Sequence, residues 1–147
     1  MKIRTANRSD AETIISFQQN MAMETEGMRL DNDIISAGVY AVFDDPSKGI
    51  YYVAEDNNKV VASLMITTEW SDWRNSNIWW FQSVYVLPEA RRSGIFKKMY
   101  DFIKQEALKQ EIPGLRLYVE KDNIRAQQTY EAMGMDGEHY RFYEWFS

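Results

Sequence analysis

The sequence contains no cysteine and a single histidine. Disulfides, thiolate metal ligands and a cysteine nucleophile are excluded, and a histidine-built cluster lacks ligands, so no metal site is expected. Long apolar runs are also missing. None approaches the about 20 residues that cross a bilayer, and the opening Met1-Lys2-Ile3-Arg4-Thr5 lacks the apolar core of a secretory signal. A cytoplasmic location with no membrane partner is expected. Basic residues are in deficit, 17 against 22 acidic, for a formal charge of -5. Broad nucleic-acid binding is therefore not expected, and small cationic molecules are better-matched partners. What is present is 45% apolar and 14% aromatic residues in 147 positions, the balance and length of one folded domain over 1–147. Chemistry falls to carboxylates, tyrosines, amides and the backbone.

Ile3-Arg4-Thr5-Ala6 reads as a first strand, and Ser9 or Asp10 can cap a helix carrying Ile14, Ile15, Phe17 and Met21. The stretch Glu24-Thr25-Glu26-Gly27 ends that helix, and a second spans 31 to about 43, before the turn signal Asp44-Asp45-Pro46-Ser47-Lys48-Gly49. Ile50-Tyr51-Tyr52-Val53-Ala54, the turn Glu55-Asp56-Asn57-Asn58 and residues 59–68 predict a hairpin. Residues 70–77 read as a polar-aromatic connection, with Trp70 and Trp73 suited to local packing, a subunit contact or a lid. The run 78–86 suits a central strand, on which at least one of Trp79 and Trp80 faces the core. Ile95, Met99, Phe102, Ile103 and Leu108 have helical spacing, and Pro113-Gly114 stops that helix before a strand over 115–120. Ile124, Gln127, Gln128, Ala132 and Met133 form a short helix closed by Gly134, and 139–146 reads as a last aromatic strand. His139 reads as a surface or packing residue. The expected fold is a mixed, mostly antiparallel sheet of six to seven strands flanked by about four helices.

The most informative segment joins a strand to a helix through Arg91-Arg92-Ser93-Gly94-Ile95-Phe96. Unpaired N–H groups converge at a helix N-terminus, the helix dipole favours an anion, and glycine permits close approach. Two arginines add permanent cations. Neither a GxGxxG nor a GxxxxGK[ST] pattern is present, which disfavours a nucleotide-binding unit.

Residues 84–94, Val-Tyr-Val-Leu-Pro-Glu-Ala-Arg-Arg-Ser-Gly, resemble the strand and pyrophosphate loop of GNAT acetyltransferases. Arg91 and Gly94 match that loop, whereas Phe96 stands where a small residue is usual, so its ring must turn into the core or the loop must hold its ligand less closely. Asn123, Ala126, Tyr130, Gly134 and Met135 resemble the family's later helix, and the first three share one face by spacing. The resemblance implies a GNAT fold and acetyl-coenzyme A (acetyl-CoA) as co-substrate. Val84, Tyr85 and Val86 would lie along the pantetheine arm, Arg91, Arg92, Ser93, Gly94, Ile95 and Phe96 at the pyrophosphate, and Asn123 and Ala126 on the arm. It also implies Tyr130 as the donor that protonates the departing thiolate.

The implied reaction is direct attack of an uncharged amine on the thioester, with a strand N–H near Val84 facing the developing oxyanion. Some relatives carry a glutamate base where this chain has Gln82, which takes no proton at neutral pH. The base therefore stays open. Glu24 and Glu26, between the first two helices, would attract a cationic acceptor at the mouth of the site, and a solvated helix end is the bland alternative. Trp80 and Gln82 would wall the acceptor pocket. The expected function is N-acetylation of a small primary amine, with an acetyl-CoA-binding sensor as the alternative. The aromatic last strand suits a homodimer.

Overall fold

The computed structural model describes residues 1–147. It falls into two compact units, Met1–Arg116 and Leu117–Ser147.

The first unit holds a five-stranded sheet in the order β1-β2-β3-β4-β5. Its elements are β1 (Lys2–Thr5), α1 (Ala11–Glu26), α2 (Asn32–Asp44), β2 (Ile50–Asp56), β3 (Lys59–Ser71), β4 (Ser76–Val86), α3 (Ile95–Lys109) and β5 (Leu115–Arg116). The first three pairings are antiparallel and β4 pairs β5 in parallel. No helix is long and apolar enough to cross a membrane.

Side-chain alternation along the strands creates two covered faces. Tyr51 and Val53 pack with Ala11, Ile14, Ile15, Val39 and Val42 of α1 and α2. Tyr52, one residue out of phase, meets Phe102 of α3 with ring centroids 6.1 Å apart, and Phe81 stacks on Tyr100 at 5.6 Å. The sheet is therefore sandwiched, α1 and α2 on one face and α3 on the other. On α3 the buried row is Ile95, Met99, Ile103 and Ala107, a four-residue step, whereas Leu108 is 61% exposed.

Local signals explain most boundaries. Asp31 Oδ1 accepts from the N–H groups of Asp33 (2.9 Å) and Ile34 (3.1 Å) and so caps α2. Asn57 and Asn58 both have positive φ, 50° and 62°, the conformation a two-residue hairpin turn needs between β2 and β3. Asp10 does not cap α1 through its side chain. Its carboxylate instead accepts from Arg4 Nη1 (2.8 Å), Arg4 Nη2 (3.1 Å) and Asn7 N (2.7 Å), while Arg4 Nη2 also reaches Glu55 Oε1 (2.7 Å).

This fork ties β1, β2 and the entry to α1 together in a largely desolvated place, the side chains of Arg4 and Asp10 being 18% and 10% exposed. The Arg4 guanidinium holds the Asp10 carboxyl below its ordinary range. A lowered native pKa adds stability that is complete above the ordinary carboxylate range and disappears as pH falls through the native value. Arg4→Met should cost roughly 2–3 kcal/mol by leaving that carboxylate without its cation. Denaturant melts should show the loss at pH 7, shrinking as pH falls into the acid range.

Three expectations are corrected. Residues 70–77 are no loose connection, because β3 and β4 run on to Ser71 and Ser76 and close on a short turn. Their polar side chains are tolerated because each strand satisfies the other's backbone. Trp70 and Trp73 are 61% and 91% exposed at this tip, so local packing does not account for them. In the strand expected over 115–120 only Leu115 and Arg116 form a ladder, and 139–146 forms none, which gives five strands rather than six or seven. β-propensity is realised only where a partner strand is available, and it does not create one.

The second unit contains α4 (Ile124–Ala132). Asn123 Oδ1 caps it by accepting from Ala126 N at 3.1 Å. The helix ends with Gly134 at φ 92°, Gly134 N donating to Glu131 O and Met135 N to Tyr130 O, each at 3.0 Å. This is the paired closure that a glycine just past a helix end permits. Phe142 stacks on Tyr118 at 4.9 Å, while Tyr140, Tyr143, Trp145 and Phe146 are 79–85% exposed. His139 Nδ1 lies 3.1 Å from Asp136 Oδ2 at the surface.

Candidate functional site

Parallel pairing of β4 with β5 is confined to Trp79 with Leu115 and Trp80 with Arg116. From Phe81 to Val86 that edge of β4 carries no ladder. Unpaired strand backbone can receive an extended ligand much as it would receive another strand.

On its other edge β4 is bulged. Met65 pairs with Gln82 and Ser63 with Tyr85, so Ser83 and Val84 together oppose Leu64. Ser83 adopts φ 52°, a left-handed value that a bulge accommodates. The consequence is geometric. Ser63 and Met65 are two apart and share a face, so their partners Tyr85 and Gln82, three apart, share it too. Without the bulge Tyr85 would point to the α3 side.

The face beneath α1 and α2 therefore carries Trp80, Gln82 and Tyr85 in one line. Gln82 Nε2 donates to Thr67 Oγ1 at 2.6 Å, and Trp80 Nε1 donates to Glu69 Oε1 at 3.2 Å. Trp79 belongs to the opposite face and is buried. Sequence reasoning missed Thr67, Glu69 and Ser83. The buried-type run 78–86 contains no glycine that would signal a bulge.

After β4 a short 3-10 turn (Pro88–Ala90) leads to the glycine loop. Ala90 N donates to Leu87 O (2.9 Å) and Ser93 Oγ to Ala90 O (2.5 Å), which fixes the loop's entry. Arg92 and Gly94 have φ of 63° and 75°, and Gly94 is the N-cap of α3. A Cβ built on Gly94 would have nothing within 4 Å, so the space above the helix N-terminus is open. A phosphate group fits such a place: open, lined by backbone and at the positive end of a helix dipole. Ile95 is buried beneath it. The Phe96 ring turns inward, 6.2 Å from Phe81 and 6.4 Å from Tyr100, so the bulky residue does not fill this space.

Arg91 does not extend freely into solvent. Its Nη2 donates to Glu24 Oε1 at 2.6 Å and its Nε to Val86 O at 2.9 Å. Tyr85 donates from its hydroxyl to Glu24 Oε2 at 2.5 Å. Those two donors, Tyr85 first and then Arg91, hold the Glu24 carboxyl below its ordinary range. Glu24 sits in the last turn of α1, and Glu26 is its exposed final residue. Burial, followed by Glu24, pushes the Tyr85 phenol up.

In the second unit, Asn123, Ala126 and Tyr130 occupy the start, first turn and later turn of α4. Burial pushes the Tyr130 phenol above its ordinary range, so the hydroxyl stays protonated at neutral pH and can donate.

A bulged strand with an open edge, running into an αL glycine loop at a helix N-terminus, is an α/β arrangement that can receive an extended, phosphate-bearing ligand. The family model for the acetyltransferase (GNAT) family matches residues 14–135, and the chain belongs to that family. A possible acetyltransferase from Clostridium difficile 630 is 48% identical, with a TM-score of 0.91 over 99% of this chain and 97% of that one. A predicted acetyltransferase with acetyl-CoA from Clostridium acetobutylicum is 18% identical, with a TM-score of 0.76 over 97% and 95%. The ribosomal-protein-alanine N-acetyltransferase of Brucella melitensis biovar Abortus 2308 is 14% identical, with a TM-score of 0.81 over 99% of each chain. No curated protein matches the sequence.

Proposed function

We propose that the chain, acting as one domain over 1–147, is a cytoplasmic acetyl-CoA-dependent N-acetyltransferase of small primary amines. The observation that carries this is the free edge of β4 at 81–86 leading into the loop whose Gly94 has open space above it. Backbone groups of Val84, Tyr85 and Val86 receive the pantetheine arm, and the N–H groups of Arg92, Ser93, Gly94, Ile95 and Phe96 receive the pyrophosphate. The arm's thioester supplies the activated acetyl group. The family motif on α4 assigns Asn123 and Ala126 to the arm and makes Tyr130 the donor of the proton the leaving thiolate needs.

The acceptor meets the face that carries Trp80 and Gln82, with Glu26 contributing negative potential. Trp80 offers an aromatic wall suited to a cation or to the apolar part of an amine. Gln82, bonded to Thr67, takes no proton. Glu24, doubly hydrogen-bonded and held below its ordinary range, is a poor base as well. The amine therefore reacts from its uncharged fraction or loses its proton to water or to another carboxylate. The exposed aromatic run at 140–146 supports a homodimer.

Release of free thiol from acetyl-CoA, measured against a panel of primary amines, tests the function. At least one small cationic amine should accelerate release. Tight acetyl-CoA binding with no acceleration across the panel would favour a sensor and overturn the enzyme reading.

A further inference from the structure

Tyr85 is 5% exposed, yet its ring carries a hydroxyl that must be satisfied inside the fold. The bulge turns that ring toward α1, where it lies 5.2 Å from Phe17 and donates to Glu24 Oε2 at 2.5 Å. The second oxygen of Glu24 takes Arg91 Nη2 at 2.6 Å, and the guanidinium lies 5.5 Å from the Tyr85 ring while Nε holds Val86 O. Both carboxylate oxygens are thus in use. One carboxylate joins the last turn of α1, the end of β4 and the first residue of the glycine loop.

We propose that Glu24 is a positioning residue that holds loop 91–94 in its acetyl-CoA-receiving shape through Arg91 and Tyr85, rather than a contact for the acceptor amine. This rests on the proposed function. The loop contains a non-glycine residue in the left-handed region, Arg92, which surrounding structure must hold in place. With Arg91 tethered at two points, the ordering of the loop is complete before a ligand arrives, and affinity gains from that preorganisation. An amine seeking Glu24 would first have to displace Arg91. Truncating Glu24 therefore weakens acetyl-CoA and leaves the acceptor largely unaffected.

The test is calorimetric titration of acetyl-CoA into the full chain and its variants, each well below its own thermal midpoint, with the acceptor KM measured alongside. Glu24→Ala should raise the acetyl-CoA Kd about tenfold, equivalent to about 1.4 kcal/mol. Glu24→Gln, which keeps one acceptor oxygen, should restore part of that affinity. A residue with only a structural role would lower the thermal midpoint and leave the acetyl-CoA Kd of the folded fraction unchanged. Unchanged acetyl-CoA affinity in both variants, or a rise confined to the acceptor KM, overturns this inference alone. Absence of acetyl-CoA binding by the unmodified chain overturns the functional reading together with it.

Discussion

Tyr130→Phe should slow single-turnover acetyl transfer by roughly 10- to 1000-fold, the usual range for one acid-base group. Acetyl-CoA affinity should barely move. Phenylalanine keeps the ring and its packing in a partly buried place and removes only the donor. A donor needed chiefly in the transition state affects turnover more than binding. The raised phenol pKa sets the sign of the pH dependence: the hydroxyl is protonated at neutral pH and is lost as a donor only in strongly alkaline solution. The unmodified chain should therefore lose an alkaline limb on substitution while neutral-range dependence persists. Single turnover matters because product release could mask the chemistry. Equal rates for the two proteins would show that the thiolate, with a thiol pKa near 8 to 9, leaves unaided or takes its proton from water. Tyr130 would then serve packing alone.

Gly94→Glu should abolish acetyl-CoA binding in the same titration. No clash is involved, because the position above Gly94 is open. A side chain at φ 75° costs about 1–2 kcal/mol in backbone strain, whereas a carboxylate at a helix N-terminus recovers part of that. Stability should fall little. Affinity should fall by more than about 100-fold, since unit charges about 5 Å apart near a surface repel by several kcal/mol. Gly94→Asn, uncharged and tolerant of the left-handed region, should lose far less. Acetyl-CoA binding by the glutamate variant with unchanged affinity would move the pyrophosphate away from this loop.

Several site elements were legible because their signals are local. Asn57-Asn58 as part of a hairpin turn and Gly134 as a helix stop are decided within a few residues by backbone sterics and hydrogen bonding. The strand-to-glycine-loop-to-helix order was equally plain, and with it the place of Arg91 and Gly94. Residue type alone leaves two alternatives for Phe96, and inward packing on Phe81 and Tyr100 resolves them. Leu108 shares the helical spacing but lies outside the buried row, which continues to Ala107, a small residue that carries little hydrophobic signal.

By itself the sequence determined the order of elements from β1 to α4, its family motifs and the absence of thiol chemistry, since these depend on residue type and spacing. Only tertiary structure decided where pairing ends. The ladder between β4 and β5 stops after two residue pairs, and the aromatic run at 140–146 joins no sheet, because a strand is defined by its neighbour as well as by its own residues. Only tertiary structure, too, brought Glu24 to Arg91, 67 positions away, and to Tyr85, 61 positions away. The one-residue bulge at Ser83 and Val84 reverses the side on which Tyr85 emerges. Strand periodicity allows that choice to be made only by the register of β3, which lies about twenty residues earlier in the chain.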